Sequence, residues 1–213
     1  KDGFYQGKTA NIISQFMAKN GGIITEKDLA SYQSKWRNPI QIKWRTFDVI
    51  TAPPPSSGGI AVLQWLTMFD LVKKDTTYAH NSTDYIHLLS EIGKRVFADR
   101  AEYLGDPDFY NVPLDKLLAA DYMASRVTDI SINKISITEN IAPGLNESTD
   151  TTHFSIIDQW GNAIANTTTI NYTFGSGVVV EGAGFLLNDE MDDFSAKPGV
   201  PNVFGAVGGL ANE

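Results

Sequence analysis

The chain has 213 residues, of which 42% are hydrophobic and 20% charged, a composition typical of a globular protein with one substantial core. Its formal net charge of -8 disfavours nucleic-acid binding, which requires a basic face. The absence of cysteine excludes disulfides, zinc-thiolate sites and cysteine nucleophiles. His80, His87 and His153 are too scattered to predict a metal cluster, and no apolar run approaches the roughly 18 residues of a membrane helix.

Helices dominate the predicted structure of the first 150 residues. Apolar periodicity and capping patterns predict helices over 4–20, 27–33, 60–71 and 84–104, and one or two short helices between 114 and 130. Alternation over 40–50 predicts a strand. The segment 53–59 is predicted to be a loop whose glycines permit close backbone approach, and 131–150 a polar connector.

Strands dominate the prediction after residue 150. Residues 152–158 and 163–170 alternate on either side of a turn at 159–162, which predicts a β-hairpin. Residues 188–194 are predicted to form a short acidic loop, and 195–213 show no periodicity. A helical part followed by a strand-rich part is typical of the α+β class, with the junction near residue 150.

The threonine pair Thr151-Thr152 opens this hairpin. A threonine is most reactive as the first residue of a chain, where its own α-amine can act as the base for its hydroxyl. The peptide bond between Asp150 and Thr151 is therefore a candidate self-cleavage site, and Thr151 a candidate nucleophile. The alternative is that both residues are ordinary strand threonines, as 167–169 look on their own.

Four segments carry a resemblance to a known family. They are PPPSSGG at 53–59, ADRAEYLGDP at 98–107, TTH at 151–153 and NDEMDDFS at 188–195. In this order they resemble the γ-glutamyltransferases (γ-glutamyltranspeptidases), and the resemblance covers essentially the whole chain. The members of this family are N-terminal nucleophile hydrolases. The resemblance implies a precursor that cuts itself before Thr151, and an αββα four-layer sandwich that is incomplete in this chain.

The resemblance also implies two interlocked subunits. Residues 1–150 would be the mainly helical C-terminal part of the large subunit, and 151–213 the β-rich N-terminal part of the small subunit, with the nucleophile at its start. The remaining parts of both subunits would be partners of this chain. Because the arginine, serines and glycines that complete the family's site would lie outside these residues, we expect a polypeptide of these 213 residues alone to be inactive.

The activity implied by the resemblance is γ-glutamyl transfer and hydrolysis, with glutathione or a related γ-glutamyl compound as the donor. Thr151 would form a γ-glutamyl ester that is released to water or to an amino-acid or peptide acceptor. Thr169 matches the threonine that holds the nucleophile in register. Asn171, Glu190 and Asp193 match the acceptors for the substrate ammonium group, since carboxylate and carbonyl oxygens suit a cation. No cofactor and no metal are implied.

Phe204 marks a departure from the family pattern. It aligns with a tyrosine of a lid that some bacterial members carry between 198 and 209. Phenylalanine can cover a pocket but lacks the tyrosine hydroxyl, so we expect a looser gate. For bacterial members the family also implies a periplasmic or secreted location.

Several alternatives stand beside these predictions. The acidic segment 188–193 could be a solvated turn or a weak calcium loop, although it lacks the spacing of a known calcium loop. Within the family, the alternative functions are a poly-γ-glutamate capsule depolymerase or transpeptidase, and a cephalosporin acylase. The non-enzyme alternative is an inactive homologue that never matures. Asp99 and Arg100 are expected to form an ion pair, and His153 to have a structural role.

Overall fold

The structure, a computed structural model, describes residues 1–141, 152–205 and 207–213, without the side chain of Glu139. The chain divides into two compact units, one formed by Lys1–Trp36 and Ser148–Asp193, the other by Arg37–Glu147 and Phe194–Glu213. Each unit takes residues from both sides of the predicted subunit boundary. The predicted boundary marks a covalent cut and not a division between compact units. It stays a prediction, because Asp150 and Thr151 lie outside the described residues.

The α-helices lie before residue 127, on either side of one pair of strands, and a second pair of strands begins at residue 152. The α-helices are α1 (Asp2–Tyr5), α2 (Lys8–Asn20), α3 (Glu26–Ser31), α4 (Gly58–Lys73), α5 (Thr83–Tyr103), α6 (Leu114–Leu117) and α7 (Ala120–Arg126). The strands are β1 (Ile40–Trp44), β2 (Phe47–Thr51), β3 (Thr152–Ile157) and β4 (Ala163–Thr168). Short 3₁₀ helices cover Thr138–Asn140, Glu190–Asp193 and Leu210–Asn212. No described helix is both long enough and apolar enough to cross a membrane.

The predicted helix over 4–20 is two helices, α1 and α2. The helix is interrupted at Gly7, the N-cap of α2, where an added Cβ would lie 3.2 Å from the carbonyl oxygen of Asp2. The predicted glycine stop is confirmed, because α2 ends at Gly21 in the left-handed conformation with φ 76°. Ile13 and Met17 of α2 pack with Val180 in an apolar cluster of the first compact unit.

The capping box predicted before the second helix is confirmed. The Thr25 hydroxyl accepts from the backbone N–H of Asp28 at 3.3 Å, and the Asp28 carboxylate accepts from the backbone N–H of Thr25 at 2.8 Å. Two backbone donors that the first turn of α3 would leave without partners are thereby satisfied.

The single strand predicted over 40–50 is wrong. The segment is an antiparallel hairpin in which β1 pairs with β2, from Ile40 opposite Thr51 to Trp44 opposite Phe47. The turn includes Arg45, whose φ is +54°. The apolar alternation changes phase here, from even positions up to Trp44 to odd positions from Phe47 onward. In one continuous strand, such a change of phase would put the apolar side chains of the two halves on opposite faces. A turn between the halves keeps the apolar side chains of both on the same face of the hairpin.

The helices of the second unit enclose two apolar clusters. Ile60 and Leu63 of α4 pack with Leu104 and Leu117, while Met68 of the same helix packs with a cluster that includes Ile92 and Val96 of α5. The predicted close approach at the 53–59 loop is confirmed at Gly59, where an added Cβ would collide with the carbonyl oxygen of Ala52.

The predicted ion pair between Asp99 and Arg100 is wrong. Asp99 is buried and pairs with Arg126 at 3.0 Å, and it accepts hydrogen bonds from Tyr122 at 2.8 Å and Gln64 at 3.0 Å. Arg100 Nε instead donates to Ser57 Oγ at 3.0 Å. Successive side chains on a helix point in different directions, so the charged side chains at positions i and i+1 do not face each other.

The hairpin predicted after residue 151 is confirmed. β3 pairs with β4 in antiparallel register, from Thr152 opposite Thr168 to Ile157 opposite Ala163. The structure therefore mixes helices with strands, as the α+β prediction required. Among the described residues the strands form two separate two-stranded sheets, β1–β2 and β3–β4.

Candidate active site

A tight turn follows directly after β4. The backbone N–H of Asn171 donates to Thr169 Oγ1 at 2.9 Å, so the hydroxyl oxygen of Thr169 is held by the backbone two residues further along the chain. Asn171 has a φ of +70°, a conformation that asparagine adopts more readily than most residues. The side chain of Asn171 is buried, with 4% exposed. The turn thus places an asparagine amide and a threonine hydroxyl together.

The Asn171 side chain connects this turn to the acidic segment. Its Nδ2 donates to the backbone carbonyl oxygen of Asp189 at 2.9 Å, and the Asp189 N–H donates to the carbonyl oxygen of Ile170 at 3.0 Å. A carbonyl oxygen can only accept, so the atom facing it must be the amide nitrogen. The amide oxygen Oδ1 is therefore the end that can accept from another group.

Glu190 lies next to Thr169 at the start of its 3₁₀ helix. The neighbouring Thr169 side chain and Asn171 backbone act to lower the pKa of its carboxyl group, while its Oε1 atom is buried with no hydrogen-bond partner in the described part of the chain. Burial raises the pKa of Glu190, and the negative charge of Asp193 raises it further, against the lowering effect of the Thr169 hydrogen bond.

The acidic segment is ordered by its own backbone. The Glu190 N–H donates to Asn188 Oδ1 at 3.0 Å, and the Asp192 N–H donates to the carbonyl oxygen of Asp189 at 3.0 Å. Where a loop was predicted, the residues Glu190–Asp193 thus form a helical turn. Asp193 lies at the far end of that turn and is exposed.

The structure brings together three of the predicted site residues: Thr169, Asn171 and Glu190. Asp193 lies close enough to this group for its negative charge to raise the pKa of Glu190. Asp150 and Thr151 lie outside the described residues. Sequence reasoning missed the role of Asp189, which holds the site through its backbone. A backbone contact leaves no trace in residue type, so no sequence signal could have revealed it.

His153 contacts hydroxyl groups of the hairpin itself. Its Nδ1 lies 2.8 Å from Thr167 Oγ1 on the opposite strand, and its Nε2 lies 3.3 Å from Ser155 Oγ. Both contacts agree with the predicted structural role. Within the described ranges, no group of three His, Cys, Asp or Glu side chains is arranged to hold a metal ion.

Phe204 belongs to the other compact unit. It lies in a loop whose ends are joined by a hydrogen bond from the Gly199 N–H to the carbonyl oxygen of Gly208 at 3.1 Å. The Phe204 N–H donates to Asn202 Oδ1 at 3.0 Å, and the residue is half-buried. The predicted lid role of Phe204 stays a prediction.

Comparison with known proteins shows which family this chain is related to. The model of a family described as Gamma-glutamyltranspeptidase matches residues 1–213. The glutathione hydrolase proenzyme of Pseudomonas aeruginosa is 54% identical over 212 residues, which cover 99% of this chain and 38% of that protein. The chain therefore spans well under half the length of this relative.

Two solved structures resemble the described fold. The γ-glutamyltranspeptidase of Pseudomonas nitroreducens, complexed with L-DON, is 47% identical with a TM-score of 0.62, over 67% of this chain and 43% of that one. The cephalosporin acylase of Bacillus halodurans is 26% identical with a TM-score of 0.74, over 98% of this chain and 38% of that one.

Proposed function

Because the chain belongs to the γ-glutamyltranspeptidase family, we propose that the protein transfers and hydrolyses γ-glutamyl groups, with glutathione or a related γ-glutamyl compound as donor. The observation that carries the proposal is the group formed by Thr169, Asn171 and Glu190 directly after β4. This group combines a hydroxyl, an amide oxygen and a carboxylate, which are the partners that a threonine nucleophile and a substrate ammonium group require.

The register of the hairpin supports Thr151 as the nucleophile. The last described pair is Thr152 opposite Thr168. Thr151 and Thr169 each come one sequence position beyond this pair, which supports the proposal that Thr169 holds the nucleophile in register. Cross-strand neighbours have Cβ atoms roughly 4.5–5.5 Å apart, within reach of a hydrogen bond between two hydroxyl groups.

The proposed chemistry is two acyl transfers through one ester. Thr151 Oγ attacks the γ-carbonyl carbon of the donor, and the Thr151 α-amine accepts the hydroxyl proton. The C–N bond to the leaving amine breaks, and the amine takes the proton from the resulting ammonium. Water or the amine of an acceptor amino acid or peptide then attacks the ester, and Thr151 regains its hydroxyl proton.

The α-amine that acts as base exists only after self-cleavage. We propose that the Thr151 hydroxyl first attacks the carbonyl carbon of Asp150, so that the C–N bond breaks, the α-amine is freed and an ester links the two parts. Water then hydrolyses this ester, which gives a large subunit ending in the Asp150 carboxylate and a small subunit beginning at Thr151. The two subunits would remain interlocked, with the described elements contributing to an αββα sandwich completed by the remaining parts of both. The proenzyme name of the Pseudomonas aeruginosa relative supports such a precursor. A periplasmic or secreted location is proposed from the family alone.

The acidic turn supports a donor with a free α-ammonium group. Asn171, Glu190 and Asp193 would accept from that ammonium, with Asn171 offering Oδ1. Charge-assisted hydrogen bonds of this kind contribute roughly 1.5–3 kcal/mol each. From the family resemblance alone, Phe204 is proposed as a lid residue, and a lid favours small donors over a polymer such as poly-γ-glutamate.

A second candidate function is the hydrolysis of an acyl side chain on a β-lactam, supported by the likeness to the Bacillus halodurans cephalosporin acylase. Two matched substrates separate the candidates: γ-glutamyl-p-nitroanilide and glutaryl-p-nitroanilide differ only in the α-amino group. A γ-glutamyl enzyme should prefer the first, because without the ammonium Glu190 and Asp193 lack a counter-charge. A preference for the glutaryl compound would favour the acylase function.

The nucleophile itself is tested in the full-length protein. Thr151→Ala should run as one uncut band on a denaturing gel and release no p-nitroaniline, whereas the neighbouring control Thr152→Ala should still give two subunits. An uncut wild-type protein would support an inactive homologue instead. Cleavage and turnover by Thr151→Ala would overturn the proposed function.

A further inference from the structure

A serine that precedes the proposed cleavage site is held to α5 by all three of its polar groups. The backbone N–H of Ser136 donates to Glu91 Oε1 at 3.0 Å, and its backbone carbonyl oxygen accepts from Lys94 Nζ at 2.8 Å. The hydroxyl oxygen of Ser136 accepts from Arg95 Nη2 at 3.3 Å. Hydrogen bonds with a charged partner are the stronger class, so together they fix this point of the chain to the helix.

The charged side chains that hold Ser136 are themselves fixed. Glu91 and Arg95 are buried and pair with each other at 3.1 Å, and Lys94 pairs with Glu91 at 2.7 Å. A buried charge without a partner is costly, so the three side chains favour an arrangement in which every charge is paired. Ser136 is thus attached to a well-defined group of charges in the second compact unit.

In the described structure, apolar packing does not attach the chain on either side of Ser136. Ile135 and Ile137 are exposed, with 70% and 61% of their surface accessible. The next buried apolar side chain along the chain is that of Ile141. Ser136, through its charged partners, and Ile141, through its burial, therefore form what we call the anchor of this segment.

We infer that the charged side chains of α5 that hold Ser136 are positioning residues for the self-cleavage of the precursor. The inference rests on the proposed function, in which the chain is cut before Thr151. Nine residues, 142–150, separate the anchor from that cut, and they lie outside the described residues except by their number. Directly after Thr151, the chain is held by the pairing of Thr152 with Thr168.

The length of the free connection gives the physical reason. A short connection between two held points has few conformations, so the bond to be cut adopts the reactive one more often. Before the anchor, the chain is next held at Ser131, whose carbonyl oxygen lies 2.8 Å from His87 Nε2. Without the anchor, the free connection would grow from nine residues to the 19 residues of 132–150. This change lowers the population of any one closed arrangement about threefold.

The inference separates maturation from turnover. Before the cut, the anchor restricts the chain that carries the bond to be broken. After the cut, residues 142–150 end freely, so the anchor has no further influence on γ-glutamyl transfer. A role in general stability would instead reduce both rates, because formation of the ester requires the same folded core.

The experiment measures self-cleavage of the full-length protein as the loss of the precursor band on a denaturing gel after pulse labelling. The triple variant Lys94→Met, Ser136→Ala and Ile141→Ala removes two of the three bonds and the buried side chain. It should slow self-cleavage by at least about twofold, toward the limit of about threefold. The same variant, produced as two co-expressed chains with the small subunit beginning at Thr151, should release p-nitroaniline from γ-glutamyl-p-nitroanilide at the wild-type first-turnover rate.

Two control variants leave the bonds of Ser136 in place. Lys134→Met removes the same charge as Lys94→Met from an exposed position of the same segment. Asp129→Asn removes the partner that Arg95 binds at 2.8 Å outside this segment. Both controls should mature at the wild-type rate.

Should the triple variant not fold, Lys94→Met alone decides, because it must still mature more slowly than Lys134→Met while its two-chain form turns over normally. Equal maturation of the anchor variants and the controls would overturn the inference alone, and so would a parallel loss of maturation and turnover. A wild-type protein that is never cut would instead refute the proposed function, and the inference with it.

Discussion

At the scale of single residues, the proposed recognition of the donor's ammonium group depends on the charge of Glu190. Burial and the nearby Asp193 raise its pKa, and Asp189 adds to the repulsion, whereas the Thr169 hydroxyl and the Asn171 N–H lower it. An ammonium group binds the ionised carboxylate, so the affinity for the donor should fall as pH decreases through the pKa of Glu190. The position of that decline therefore reports the electrostatics of the acidic turn.

Asp193→Asn should move the acid limb of the pH profile of kcat/KM to lower pH. Removing the Asp193 charge lowers the pKa of Glu190, so the carboxylate stays ionised further into acid. The plateau should fall as well, because one acceptor for the ammonium is lost. The control Asp115→Asn removes an exposed charge in the other compact unit and should leave the limb in place. A limb that stays in place in Asp193→Asn would show that Glu190 does not set it.

At the scale of elements, local signals determine where helices begin and end. The capping box at Thr25 and Asp28 and the left-handed Gly21 lie within a few residues of the helix ends that they stabilise. Such contacts can be predicted from residue types alone, because the groups that form them are neighbours along the chain. The β1–β2 hairpin shows the limit, because alternation over 40–50 predicts one strand unless the change of phase between Trp44 and Phe47 is given weight.

Thr25→Ala should loosen the start of α3 by about 1 kcal/mol, the usual cost of losing a side-chain cap. Hydrogen exchange of the α3 backbone amides, measured by mass spectrometry, should then be about fivefold faster. The control Thr25→Ser keeps a hydroxyl acceptor and should exchange at nearly the wild-type rate. Equal protection in all three proteins would mean that tertiary contacts, and not the cap, hold this end of the helix.

At the scale of the whole molecule, an ion cluster centred on the buried side chains of Glu91 and Arg95 joins α5 to the segment that follows α7. Glu91 pairs with Lys94 at 2.7 Å and with Arg95 at 3.1 Å, and Arg95 pairs with Asp129 at 2.8 Å. The backbone N–H of Ser136 donates to Glu91 at 3.0 Å. Burial by itself would raise the pKa of Glu91, but the hydrogen bonds from Lys94, Ser136 and Arg95 outweigh it and lower the pKa to about 2.

Stability should therefore decline in acid partly through Glu91. Its folded pKa is lower than its unfolded pKa, so the stabilisation is fully present above about pH 4.5 and is lost as pH falls toward 2. Glu91→Gln should lower Tm at pH 7, since losing one member of a buried charge pair costs about 3–5 kcal/mol. The difference from wild type should shrink below pH 4.5. The exposed control Glu102→Gln should change Tm little at either pH, and a Glu91→Gln deficit that is independent of pH would contradict the assignment.

The sequence by itself determined most of the helices, the β3–β4 hairpin and the family, because periodicity, caps and turns act over a few residues and because motifs name the candidate site residues Thr169, Asn171, Glu190 and Asp193. Only the tertiary structure decided which of these residues meet and in what sense they bond. Glu190 is 21 positions from Thr169, and the contact between them depends on the backbone of Asp189 and on the left-handed turn at Asn171. Partners that are distant along the chain are selected by packing, and so it is the fold that brings Thr169 and Glu190 together.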